Sequence, residues 1–135
     1  MYAARRVVSV ATRRRRFSKF AFVGAGKMAE AMLAPLQETT IENETPSVSF
    51  YDVSCAVAKR VAEKYPLLTR AESLDECVDG ADVVVLCTKP QNCDAVFAEL
   101  KPIFAERAEA PVLLSILAGV PMRNFSEGQE RCHPL

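Results

Sequence analysis

The residues Val23-Gly24-Ala25-Gly26-Lys27-Met28, with Ala29 behind them, form a G-x-G-x-x-A pattern between a short apolar run and a helical one. The chemistry suited to that spacing is the binding of a pyrophosphate. Gly24 permits a tight strand-to-helix turn, Gly26 lets the backbone approach the phosphates, and Ala29 keeps the helix close to the sheet. The helix start adds unpaired N–H groups and a partial positive charge. Lys27 is not a phosphate-loop lysine, because Met28 stands where that motif needs Ser or Thr. Asp52 is the second candidate, at the end of the next apolar run, where an acid accepts hydrogen bonds from an adenosine ribose. It lies 26 residues after Gly26, and the polar insert "QETTIENETP" accounts for the excess over the usual spacing of about 20. A carboxylate there repels a 2′-phosphate, so the reading leans to NADH over NADPH. Two plainer readings stay open: Asp52 as a capping residue beside Ser54, and the whole motif as a strand-helix turn without a ligand.

Other chemistries lack their residues. His133 is the single histidine, two residues from the end, so neither a Ser-His-Asp device nor a His-rich metal site can be assembled. Cys55, Cys77, Cys87, Cys93 and Cys132 are odd in number and contain no C-x-x-C pair, which argues against a disulfide framework or zinc and fits a reducing compartment. No catalytic residue and no metal ligand is assigned.

The elements that must position the motif alternate between short apolar runs and amphipathic ones, the pattern of a parallel sheet covered by helices. Phe20 to Val23 reads as the first strand. The helix after Gly26 is expected to end or kink near Ala34, ahead of Pro35. "SVSFYD" is the second strand, and Ser54 caps a helix that contains Ala56, Val57, Val61 and Ala62 and is closed by Tyr65-Pro66. A short strand is expected over Leu67 to Thr69, then a capping box at Ser73-Leu74-Asp75-Glu76. "ADVVVLCT" reads as an interior strand buried on both faces and stopped by Lys89-Pro90. A helix over Asp94 to Phe104 and a fifth strand, "VLLSI", complete the series. The fold class is therefore α/β, a Rossmann-type doubly wound, mostly parallel sheet with helices on both faces, truncated at its C-terminal end.

The chain has 135 residues, 50% of them hydrophobic and 25% charged, which suits one soluble globular domain. Its formal charge of zero hides an asymmetry. Residues 1–20 carry seven of the 17 basic residues and no acid, leaving ten bases against 17 acids and a net charge of −7 elsewhere. Such a body is a poor nucleic-acid surface, and the run Arg13 to Arg16 reads as a tail. The leader, residues 1–18, has the composition of a mitochondrial transit peptide, with a solvated basic tail as the alternative. The protein is expected to be mitochondrial on the first reading and cytoplasmic on the second. No apolar run reaches the 18 or so residues of a membrane span.

With "FVGAGKMAEAM", "ADVVVLCTKPQ" and "SILAGV" in that order, the chain resembles the N-terminal domain of the pyrroline-5-carboxylate reductase family over about residues 20–123. Lys89-Pro90-Gln91 is the most specific of these signals. The resemblance implies an enzyme that uses NADH or NADPH to reduce 1-pyrroline-5-carboxylate to L-proline, the last step of proline biosynthesis, with this chain supplying the cofactor half. It places Val23 to Met28 on the pyrophosphate, and Cys87, Thr88, Lys89 and Pro90 against the nicotinamide-ribose half. Ala118 and Gly119 would border the nicotinamide, and Ser73 is the nearest polar candidate for an adenine contact. Cys87-Thr88 departs from the family's usual Ala-Val. The family continues into an all-helical domain that forms a homo-oligomer and most of the substrate site, and no counterpart of it follows here. Residues 19–123 are thus expected to be the dinucleotide-binding unit. Residues 124–135 are expected to be an irregular tail, with a truncated gene model, a shifted reading frame after Met122 or Arg123, or a natural short product as the alternative sources. Two rivals remain: a catalytically inactive nucleotide-binding fragment, and another G-x-G-x-x-A reductase acting on a hydroxy acid or a deazaflavin.

Overall fold

The computed structural model describes residues 17–117, 119 and 120. The expected leader up to residue 16, Ala118, and the tail with Cys132 and His133 lie outside the described residues. Five strands, β1 (Lys19–Val23), β2 (Ser47–Tyr51), β3 (Thr69–Arg70), β4 (Val83–Leu86) and β5 (Val112–Ser115), form one sheet in the order β3-β2-β1-β4-β5. Every pairing is parallel, and β1 sits at the centre with Phe22 opposite Phe50 on one side and Val85 on the other. The order reverses at β1, which puts β1 and β4 at the switch point of a Rossmann-type sheet.

Four helices cover the sheet: α1 (Lys27–Leu36), α2 (Cys55–Lys64), α3 (Leu74–Val78) and α4 (Cys93–Ala105). The strand period of two sends alternate side chains to opposite faces and divides the core. Phe22, Val48, Phe50 and Val85 pack under Ala29 and Leu33 of α1 and Ala58 and Val61 of α2. Ala21, Val23, Val84 and Leu86 pack under Leu74, Cys77 and Val78 of α3 and Leu100 and Phe104 of α4. Both faces are apolar, so β4 reads as an unbroken Val-Val-Val-Leu run.

Several boundaries differ from the expectation; β1 starts one residue early at Lys19, β2 ends at Tyr51, and β4 spans only Val83–Leu86. α1 continues through Pro35 to Leu36. A proline in the last turn forfeits one N–H bond, and the carbonyl of Pro35 is itself taken up by the Thr39 hydroxyl at 2.7 Å, so the turn closes around it. β3 is Thr69–Arg70 rather than Leu67 to Thr69, because a tight turn from Tyr65 to Leu68 after Pro66 leaves Leu67 exposed. α4 begins at Cys93, one residue early, behind a 3-10 turn over Pro90–Asn92, and it also holds Pro102. β5 ends at Ser115, one residue short of the expected "VLLSI".

The N-caps are close to expectation. Ser54 accepts the Val57 N–H at 3.4 Å, and Ser73 accepts the Glu76 N–H at 3.1 Å. The return arm of the expected capping box differs: Glu76 Oε2 accepts the N–H of Glu72 at 2.8 Å instead of that of Ser73. Asp82 ties the start of β1 to the start of β4 by accepting the N–H groups of Ser18 and Lys19, each at 2.9 Å.

One ionic cluster was not foreseen. Glu30, buried on α1, accepts from Lys64 Nζ at 2.7 Å, Arg60 Nη1 at 3.0 Å and the Tyr65 hydroxyl at 3.0 Å. Hydrogen bonding from Lys64, helped by Tyr65 and Arg60 and opposed by burial, holds its carboxyl at about 2. The local signal was the Arg60/Lys64 pair at i, i+4 with Tyr65 behind it, whose partner lies across the fold.

Candidate functional site at the carboxyl edge of the sheet

Because all five strands run the same way, the loops after β1, β2, β3 and β4 open on one edge. Val23 ends β1, and its carbonyl accepts the Cys87 N–H at 2.8 Å, which locks the two strand ends together. Gly24 then turns with φ +100°, in the left-handed region, and its N–H donates to the Tyr51 carbonyl at 2.7 Å. A Cβ on Gly24 would lie 2.7 Å from the carbonyl carbon and oxygen of Cys87 and 2.9 Å from the Thr88 nitrogen. Only glycine lets the turn sit against β4 in this way.

Ala25 is buried, and its N–H donates to Asp52 Oδ2 at 2.9 Å, while Asp52 Oδ1 accepts the Ser54 N–H at 2.8 Å. Asp52 thus ties the glycine turn to the start of α2. Gly26 is the opposite of Gly24: a Cβ built there meets nothing within 4 Å. It is the N-cap of α1, and no side chain caps that helix, so the first N–H groups face the open side of the turn. Lys27 and Met28 are exposed beside it.

Across the turn, Cys87 and Thr88 are half-buried, and Lys89 and Pro90 are exposed. Burial pushes the Cys87 thiol up to about 11, so it stands as a neutral thiol at physiological pH. The Thr88 hydroxyl is buried and has no hydrogen-bond partner. An unsatisfied buried hydroxyl costs about 1–3 kcal/mol unless something supplies its partner. The uncapped helix start, the space over Gly26 and the free Thr88 hydroxyl together fit a phosphate-bearing ligand with polar oxygens.

The structure brings Val23 to Met28, Asp52, Ser54, Cys87, Thr88, Lys89 and Pro90 to one edge. Ser73 follows β3, the outermost strand, and its hydroxyl is engaged as the cap of α3. Gly119, with φ +74°, follows β5 at the far end. A separate groove of about 630 Å³ lies between α3 and α4, lined by Asp75, Asp79, Glu99, Glu106 and Arg107 among others. It includes Ser73 but no residue of the glycine turn, and its four carboxylates make it unsuited to phosphate. Glu72, two residues past the end of β3, was not singled out in the sequence. Its signal appears only once β2 and β3 are known to pair.

Cys55, Cys77, Cys87 and Cys93 are free thiols, and among the described residues no cluster of His, Cys, Asp or Glu is arranged to hold a metal. Among them, too, no helix is long and apolar enough to cross a membrane.

The sheet order, the glycine turn and the paired ends of β1 and β4 define a Rossmann-type domain. The chain belongs to the family described as "NADP oxidoreductase coenzyme F420-dependent", whose model matches residues 19–119. It is 30% identical over 112 residues to the pyrroline-5-carboxylate reductase of Pisum sativum, covering 82% of this chain and 39% of that protein. Its fold superposes on a pyrroline-5-carboxylate reductase from Coxiella burnetii with a TM-score of 0.71 at 23% identity, over 86% of this chain and 41% of that one. The Plasmodium falciparum pyrroline carboxylate reductase, solved with NADP bound, matches with a TM-score of 0.60 at 24% identity, over 84% of this chain and 39% of that one. The chain spans about two fifths of the length of the curated relatives it matches.

Proposed function

We propose that this chain forms the dinucleotide-binding half of an NAD(P)H-dependent reductase that converts 1-pyrroline-5-carboxylate to L-proline. The observation that carries the reading is the contrast between the two glycines: Gly24 is pressed against the Cys87–Thr88 backbone, while Gly26 faces open space at an uncapped helix start. The family match and the pyrroline-5-carboxylate reductase relatives support the reaction class and the substrate. The relative solved with NADP supports a nicotinamide dinucleotide.

Bound at this edge, the reduced nicotinamide supplies a hydride for an imine carbon. The chain's own residues bind and orient. The N–H groups of Gly26 to Met28 and the start of α1 take the pyrophosphate, with Lys27 and Lys89 adding positive charge. Thr88 offers its hydroxyl to the ribose on the nicotinamide side. Ala118 and Gly119 border the ring, and Ser73 lies toward the adenine. The Asp52 carboxylate disfavours a 2′-phosphate, which supports NADH as the preferred form. Residues 19–123 are the binding unit. The basic leader acts as a mitochondrial transit peptide, and the working enzyme is a homo-oligomer with the substrate held by groups outside this unit. No catalytic residue is assigned to the chain.

Titration with NADH, followed by assays with 1-pyrroline-5-carboxylate and with hydroxy-acid and deazaflavin panels, tests the proposal. Saturable NADH binding and proline formation support it. Binding without turnover identifies a nucleotide-binding module, turnover of another substrate identifies a different reductase, and no binding overturns the reading.

A further inference from the structure

The pairing of β2 with β3 continues one residue past the end of β3. Phe50 pairs with Arg70, and the Ala71 N–H still reaches the Phe50 carbonyl at 2.9 Å. Phe50 and Arg70 are the last paired residues, so Asp52 and Glu72 each lie two residues beyond that pair, at the carboxyl ends of neighbouring strands. Asp52 has both oxygens engaged by the Ala25 and Ser54 N–H groups. Glu72 has its backbone fixed by Glu76, while its side chain is 78% exposed. A cation near Glu72 is Arg70, whose Nε is buried without a hydrogen-bond partner and lies 4.0 Å from Glu72 Oε1.

We infer that Glu72 is a determinant of dinucleotide choice: it places a second negative charge at the adenosine end and occupies Arg70, so that NAD(H) is taken over NADP(H). This rests on the dinucleotide reading above. A 2′-phosphate carries close to two negative charges. Coulomb repulsion between one carboxylate and such a phosphate, taken at roughly 7 Å in water, corresponds to about a five- to tenfold weakening of binding. Withdrawing Arg70 adds to the discrimination, since a free guanidinium is the group best shaped to grip a phosphate.

The test is calorimetric titration of the full chain with NAD+ and with NADP+ at low ionic strength. Wild type is expected to bind NAD+ more tightly. Glu72→Gln should reduce the NAD+/NADP+ affinity ratio about five- to tenfold while changing NAD+ affinity less than about twofold. Glu72→Asp should retain the ratio, and adding Arg70→Met to Glu72→Gln should remove part of the NADP+ gain. An unchanged ratio in Glu72→Gln overturns the inference alone, as does a wild-type preference for NADP+ that Arg70→Met abolishes. Binding of neither nucleotide to wild type overturns the dinucleotide reading itself.

Discussion

Asp52 Oδ2 accepts the N–H of Ala25 at 2.9 Å, so the acid that closes β2 also holds the glycine turn that follows β1. Its second oxygen holds the start of α2 through the Ser54 N–H at 2.8 Å. One carboxylate therefore sets the position of two loops on the same edge. Asp52→Ala should leave both N–H groups without their partner and lower stability by about 1–3 kcal/mol. Asp52→Asn, which keeps one acceptor, should lose less. Urea unfolding of the three proteins checks the order, and equal midpoints would count against it.

The two glycines should separate stability from binding. Gly24→Ala forces a Cβ to within 2.7 Å of the Cys87 backbone at φ +100°, and should cost about 2 kcal/mol or more. Gly26→Ala, with φ −69° and no neighbour within 4 Å, should change stability by less than about 1 kcal/mol. Its methyl nevertheless stands where the phosphates approach, so nucleotide affinity should fall at least about tenfold. Chemical denaturation and nucleotide titration on the same samples read the two effects separately.

Acid should destabilise the fold through Glu30. Its carboxyl is held at about 2 in the folded chain against an ordinary 4.5, so the unfolded chain binds the proton first as pH falls. The stabilisation is fully present above about pH 4.5 and is lost progressively down to about pH 2. In Glu30→Gln the urea midpoint should vary less between pH 5 and pH 3 than in wild type, by the scale of linkage expected for one such carboxyl. Matching pH profiles would show that the cluster with Arg60, Lys64 and Tyr65 contributes nothing.

Thr88→Val replaces a buried hydroxyl that lacks a partner with a methyl of similar shape. Without nucleotide the variant should be as stable as wild type or more so, by up to about 1 kcal/mol. With nucleotide it should bind more weakly. A drop in stability without ligand would mean that the hydroxyl has a partner in solution.

The frame was legible wherever structure is local. The apolar run of β4, the caps at Ser54 and Ser73, and the glycine turn each carry their signal within a few residues. Pro35 and Pro102 misled or went unread because a helix tolerates proline when the lost bond falls near its end or when packing compensates, and packing is not a local property. Glu30 and Glu72 were illegible for a related reason. The partners of Glu30 lie 30 to 35 residues away on α2 and its C-cap, and the end of β3 is set next to the end of β2 only by the pairing of the two strands. The double engagement of Asp52 was half visible, since the capping role beside Ser54 follows from spacing but the bond to Ala25 crosses between strands.

The most direct test of the central claim is thermal or urea stability of the full chain with and without NADH. At a ligand concentration 100 times the dissociation constant, a site at the glycine turn should add about 2.7 kcal/mol. In Gly26→Ala at the same ligand concentration, the gain should fall to about 1.4 kcal/mol or less. No gain with NADH or NADPH, or a gain that Gly26→Ala leaves intact, would contradict a dinucleotide site at this edge.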